Sequence, residues 1–231
     1  MRLVHRALLP REMPRCASLD VAVHMRTASE VGGDYYDFSV GEDGSLTLAI
    51  GDATGHGLRA AILGATAKSY FLTLSKRCAP REILEAMSSA FQHLALPSLY
   101  MCLMIARIHE RQASIVGAGM PPFFVRRRSG EIERVEVAGF PLGVRKKPVF
   151  DGTVIDFDPG TTMLLFSDGL PELSDPHERE LGYDAIERAL READTSSAES
   201  ILESVVRLAD EWCGGRASAD DLTVMVVQAT A

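Results

Sequence analysis

At 231 residues the chain can bury a full core, and its 46% hydrophobic and 24% charged side chains are those of a globular protein. No apolar run approaches the ~20 residues of a membrane helix, and a formal net charge of −8 argues against a nucleic-acid surface. No Pro-, Ser- or Gly-rich linker divides it, so one domain over residues 1–231 is expected, with 1–18 as a linker-like lead-in.

The start, MRLVHRALLPREMP, has neither the apolar core nor the cleavage site of a secretory signal, which implies a cytoplasmic protein. Leu19 to Met25 alternates as a strand should; Tyr35 to Val40 does so again, and the turn Gly41-Glu42-Asp43-Gly44 leads into a third strand, Ser45 to Ile50. Glu30-Val31-Gly32-Gly33-Asp34 joins the first two strands. Asp52, in Gly51-Asp52-Ala53-Thr54-Gly55-His56-Gly57, follows the third. Leu58, Ile62, Thr66, Tyr70 and Leu74, with Ala61, Ala65 and Phe71 beside them, predict a long helix with a buried stripe. A second helix starts near Ala79-Pro80, carries Ile83, Leu84, Met87, Phe91 and Leu94 on its apolar face, and stops at Pro97.

Tyr100 to Ile108 reads as a buried strand, and Cys102 within it as a buried free thiol. Cys16, Cys78 and Cys213 are scattered, so neither a zinc knuckle nor a disulfide framework is suggested. Shorter strands follow at Ala113 to Val116, Phe123 to Arg127, Ile132 to Val137 and Val149 to Phe157. Arg126-Arg127-Arg128, Arg134 and Arg145-Lys146-Lys147 form a basic zone, read either as a solvated hairpin face or as a dock for an acidic or phosphorylated partner. Thr161 to Phe166 is another buried strand, ending in Ser167-Asp168-Gly169. Tyr183 to Leu190 is a helix, and Ser196-x-x-Glu199 reads as a capping box opening a helix that Gly214-Gly215 breaks. Asp220-Asp221 precedes the last strand, Leu222 to Val227. Strands interrupted by paired helices, without βαβ repetition, predict an α+β fold, a four-layer α-β-β-α sandwich of two mainly antiparallel sheets flanked by helices.

Four junctions, at Asp34, Asp52, Asp168 and Asp220 or Asp221, thus set a carboxylate at a strand terminus. An isolated acid of this kind is an Asx turn or a helix cap. Four of them, if gathered at one edge, repel unless cations neutralise them, and all-oxygen ligands select Mg²⁺ or Mn²⁺ over zinc. Two such metals activate water for in-line displacement at phosphorus. Gly55-His56-Gly57-Leu58-Arg59-Ala60 also fits a dinucleotide fingerprint, but the acid that reading requires ~20 residues on is missing. His56 is open to a structural or an acid-base role.

The segments Glu30 to Asp37, Gly51 to Gly57, Phe166 to Gly169 and Asp220 to Thr223 resemble, in order, the motifs of metal-dependent protein serine/threonine phosphatases (the PPM family), most of all the bacterial branch of stage II sporulation protein E and sigma-B-regulator phosphatases. The resemblance runs from about Leu8 to Val227. It implies a hydroxide held by two divalent cations as the nucleophile, with Asp52 bridging both metals and the Ala53 carbonyl on the second. Asp168 and Asp220 then complete the first metal, and Asp34 lies on the second metal's side. It also implies a phosphorylated regulator of the anti-sigma-factor-antagonist kind as substrate. Relatives commonly carry a sensor domain ahead of this region, so control by a domain or protein in trans, or by homodimerisation through the helical hairpin and the N-terminal segment, is expected. The chain departs from its relatives at Gly117-Ala118-Gly119-Met120, where Asn-Ala-Gly-His is usual, and at Cys102, where threonine is common. A catalytically weak module that holds a phosphoprotein is the alternative.

Overall fold

A computed structural model describes residues 8–28, 30, 32–94, 98–146, 148–216 and 218–230. The chain forms two compact units, each discontinuous in sequence: Met1–Cys16, Ser29–Met120 and Val137–Phe157 in the first, and Ala17–Ala28, Pro121–Glu136 and Asp158–Ala231 in the second.

The first unit holds strands β2 (Asp34–Val40), β3 (Leu46–Ala53), β4 (Met101–His109), β5 (Gln112–Ala118) and β8 (Gly152–Asp156), paired antiparallel in that order. Helices α1 (Leu58–Leu74) and α2 (Pro80–Leu94) cover one face. Their Ala60, Leu63, Ala67, Phe71, Ile83, Leu84, Met87 and Phe91 share a core with Tyr35, Ala49, Ala53, Leu103 and Ile105. Phe71 is fully buried there and contributes on the order of 1.5–3 kcal/mol. In the second unit β1 (Leu19–Arg26), β10 (Leu222–Ala229), β9 (Thr162–Phe166), β6 (Phe123–Arg126) and β7 (Ile132–Val135) form an antiparallel sheet in that order. Helices α3 (Gly182–Glu192) and α4 (Ala198–Cys213) bury Ile186, Leu190, Ile201, Leu202, Val205 and Ala209 against Phe124, Leu164, Phe166, Val224 and Val226. The α+β class, with two antiparallel sheets each flanked by its own helix pair, is as the sequence predicts.

Four local expectations need correction. The stripe expected on α1 is not its buried face: Leu58 is 67% exposed, Ile62, Thr66, Tyr70 and Leu74 are half-buried, and the sheet takes Ala60, Leu63, Gly64, Ala67 and Phe71 instead. The reason is composition. Arg59 and Lys68 are the charged residues of α1, so apolar side chains lie all round it and periodicity cannot choose a face. Likewise Leu94 of α2 is exposed rather than buried, while Pro97, the expected stop, lies outside the described residues.

Strand β3 does not end at Ile50 but continues through Asp52 and Ala53, because Asp52 pairs with Asp34 on one side and Cys102 on the other. The N-cap of α4 is Ser197, whose side chain accepts from Ser200 N at 3.0 Å; Ser196 turns instead to the Asp194 carboxylate. Asp20 Oδ2 takes the first helical N–H, that of Ala198, at 2.8 Å. Gly214 closes the helix in the left-handed region (φ 58°), as the Gly-Gly break predicts.

Candidate metal centre

The structure groups the predicted acids as two pairs, one in each unit. In the first, Asp34 opens β2 and lies directly across from Asp52 of β3, which lies across from Cys102 of β4. Side chains of directly paired residues share a sheet face, so these three form a row. Their neighbours Tyr35, Ala53, Met101 and Leu103 point into the core under the helices, which puts the row on the opposite face. Asp34 is buried, and Asp52 and Cys102 are half-buried. The expected buried thiol is therefore partly accessible.

The chain around this pair is held by its own backbone. Ala53 N donates to Gly33 O (3.0 Å), Thr54 N donates to Tyr100 O (2.9 Å), and Tyr100 N donates to Thr54 Oγ1 (3.1 Å). Gly33 passes so close that a Cβ on it would lie 2.5 Å from Asp52 Oδ1 and nearer still to Ala53 O. A side chain there would fill a cradle lined by these two oxygens. Gly55 and Gly57 take φ of 80° and 78° to turn the chain into α1, conformations that cost other residues. His56 is exposed in this turn, outside both pairs. Strand β3 is antiparallel to both neighbours, so the dinucleotide reading of this turn has no parallel βαβ unit behind it.

In the second unit Asp168 follows β9 and Asp220 precedes β10, the neighbouring strand. Ser167 stitches their ends together: its N–H donates to Thr223 O, and its Oγ accepts from Thr223 N, both at 3.0 Å. Gly169 then runs against the Asp221 carbonyl too tightly for any Cβ. Burial, and next the negative charge of Asp220, push the Asp168 carboxyl above its usual range. Asp220 itself is exposed, whereas Asp221 is buried and accepts the Ala28 N–H at 2.7 Å. Of the Asp220-Asp221 pair, the first thus presents its carboxylate outward, while the second binds the end of β1.

Two features escaped the sequence reading. Glu172, whose N–H donates to Asp168 O (3.0 Å), has its carboxyl raised by burial, then by Asp168, Glu180 and Asp220. Its i+4 spacing from Asp168 was the available signal. Asp37, quoted only as part of a motif, is buried and paired with Lys68 of α1 at 2.8 Å. The basic zone divides between the units: Arg126 to Arg128 and Arg134 belong to the β6–β7 hairpin, Arg145 and Lys146 to the first unit, and Lys147 lies outside the described residues. Arg127 pairs with Glu133, and Arg134 lies over the Tyr183 ring. At the Gly117-to-Met120 departure, Gly119 has φ 79° and packs against Pro141, and Gly117 packs against Val137.

Among the described residues no three His, Cys, Asp or Glu side chains form a ready metal cage, and no helix is long and apolar enough to cross a membrane. The donors fit a hard cation nonetheless: they are carboxylates and one backbone carbonyl, and the Gly33 cradle leaves room beside two of them.

The model of the family described as Stage II sporulation protein E matches residues 42–230. The chain belongs to the stage II sporulation protein E family. The phosphoserine phosphatase RsbU of Bacillus subtilis is 24% identical over 232 residues, spanning 97% of this chain and 68% of RsbU. Protein IcfG of Synechocystis is 21% identical, and the chain spans 40% of its length. Among solved structures, the SiaA-PP2C domain of Pseudomonas aeruginosa superposes with a TM-score of 0.85 at 22% identity, covering 98% of this chain and 92% of that domain. RsbX in complex with magnesium gives 0.74 at 16% identity, covering 95% and 99%. The fold is therefore that of PP2C domains, and Asp52, Asp168 and Asp220 lie inside the matched region.

Proposed function

We propose that this chain, a protein serine/threonine phosphatase by family, hydrolyses phosphoserine or phosphothreonine on a regulatory protein with two divalent cations, Mn²⁺ or Mg²⁺. Asp52 and the Ala53 carbonyl, with Asp34, would hold one cation, and Asp168 and Asp220 would hold the other. The observation that carries this reading is the Gly33 cradle, which only a glycine can leave open beside Asp52 Oδ1 and Ala53 O. The cations supply water activation and charge neutralisation at the phosphoryl group. The chain's own residues bind and orient them: the backbone bonds of Ala53 and Thr54 fix the first pair, and the Ser167–Thr223 stitch sets Asp168 beside Asp220. No Cys or Ser nucleophile motif accompanies the acids, so no phosphoenzyme forms.

From the motif resemblance to sigma-B-regulator phosphatases we infer an anti-sigma-factor-antagonist type of substrate in the cytoplasm, with regulation by a domain or protein in trans or by dimerisation; the similarity to a phosphoserine phosphatase supports a phosphoserine substrate. We take the two units, whose segments alternate along the chain, as one catalytic domain. Turnover of a phosphopeptide with Mn²⁺, in wild type and Asp52→Asn, is the test. The reading expects metal-dependent release of phosphate that the variant loses while its fold persists. Tight phosphopeptide binding without turnover would make the chain a phosphoprotein-binding module instead.

A further inference from the structure

On the helix-covered face of the sheet in the first unit, Asp37 places a carboxylate beside a largely apolar core. Asp37 is 2% exposed, and its Oδ2 accepts from Lys68 Nζ of α1 at 2.8 Å and from the Tyr35 hydroxyl at 3.0 Å, while Oδ1 takes its neighbour's N–H, that of Phe38, at 2.9 Å. The Tyr35 hydroxyl is pushed well up by burial and then by Asp37, so it stays protonated and donates.

We propose that the Lys68–Asp37 ion pair positions the Asp34–Asp52 carboxylate pair, with Lys68 as a positioning residue for the metal centre; the inference rests on the metal reading given above. The connection is a closed ring. Asp34 and Asp37 lie three residues apart on β2; Asp52 faces Asp34 from β3; the turn after Ala53 leads into α1; and Lys68, about 15 Å along that helix, returns to Asp37. The hydrophobic effect is non-directional, and α1 is apolar nearly all round, so burial by itself fixes its rotation and slide on the sheet only weakly. A charge-assisted hydrogen bond at a defined point does set them. Since metal–ligand distances are held to about 0.2 Å, a helix freed at Lys68 carries Asp52 and Ala53 out of tolerance.

The test titrates Mn²⁺ into purified protein, following free Mn²⁺ by electron paramagnetic resonance, alongside urea unfolding. Lys68→Met should weaken Mn²⁺ binding about tenfold or more, and Lys68→Arg, which can still bond Asp37, should recover most of it. Because Lys68→Met strands a buried charge, the double variant Asp37→Asn with Lys68→Met is included. It should regain the unfolding midpoint but not the Mn²⁺ affinity. Wild-type affinity in Lys68→Met, or affinity returning together with stability in the double variant, overturns the positioning role. A wild-type protein that binds no Mn²⁺ overturns the metal reading itself.

Discussion

Replacing Gly33 by alanine adds one methyl group at the point where the two proposed ligands of one cation converge. Gly33 does not adopt a left-handed φ, so its backbone accepts alanine and the effect is steric alone. The new Cβ would lie 2.5 Å from Asp52 Oδ1, closer to Ala53 O, and 3.1 Å from Gly55 O. Real Cβ atoms stay beyond 3.0 Å, so the Asp52 carboxylate must retreat by about 0.5 Å and the Ala53 carbonyl by more. That exceeds the ~0.2 Å over which metal–ligand bonds hold. Mn²⁺ affinity should fall about 10- to 100-fold, which is roughly 1.4–2.7 kcal/mol. Isothermal titration with Mn²⁺, paired with phosphopeptide turnover across Mn²⁺ concentration, reads both ligands at once. Gly55→Ala is the control: nothing lies within 4 Å of its Cβ, but φ is +80°, so it should cost about 1–2 kcal/mol of fold stability and spare the metal. A Gly33→Ala protein whose Mn²⁺ dissociation constant and turnover match wild type would show that these oxygens are not ligands.

Gly169→Ala drives a Cβ into the Asp221 carbonyl between β9 and β10, so it should cost about 3 kcal/mol and lower the melting temperature by roughly 6–12 °C; a calorimetric scan unchanged from wild type would contradict the close approach. Asp175 accepts the N–H groups of Arg179 and His177 and pairs with the Arg179 guanidinium, which lower its carboxyl from 3.8 to about 2. Its folded-state value is depressed, so its stabilisation is complete above pH 3.8 and is lost as pH falls toward 2. Asp175→Asn should therefore lower the urea midpoint at pH 6, with a smaller gap at pH 3; an equal gap at both would locate the effect elsewhere. Removing divalent cations with a chelator should abolish phosphate release and make Asp52→Asn more stable than wild type, because the variant loses one of two facing carboxylates; equal unfolding midpoints without metal would argue against repulsion across that pair.

Much of this protein is local in its causes and so was legible in one dimension. Alternation along Leu19 to Met25 and Tyr35 to Val40, proline at the head of α2 and Gly-Gly after α4 each encode an element through near-neighbour physics, and each element is found. The acid-and-glycine junctions likewise stand out by residue type, since a carboxylate at a strand terminus and a glycine beside it are visible without a fold. Tertiary structure decided what depended on contacts between distant segments. Strand β3 extends through Asp52 because β2 and β4 flank it, and α1 buries Ala60, Leu63 and Ala67 because the sheet chose a face that an almost uniformly apolar helix could not declare. That Asp221 is buried while Asp220 is exposed depends on the Ala28 N–H, 193 residues away, which donates to the Asp221 carboxylate. Lys68 and Asp37, 31 residues apart, look like two ordinary surface charges until the helix is laid on the strand; a lone charge carries no mark of its partner, and only packing brings the two together out of water.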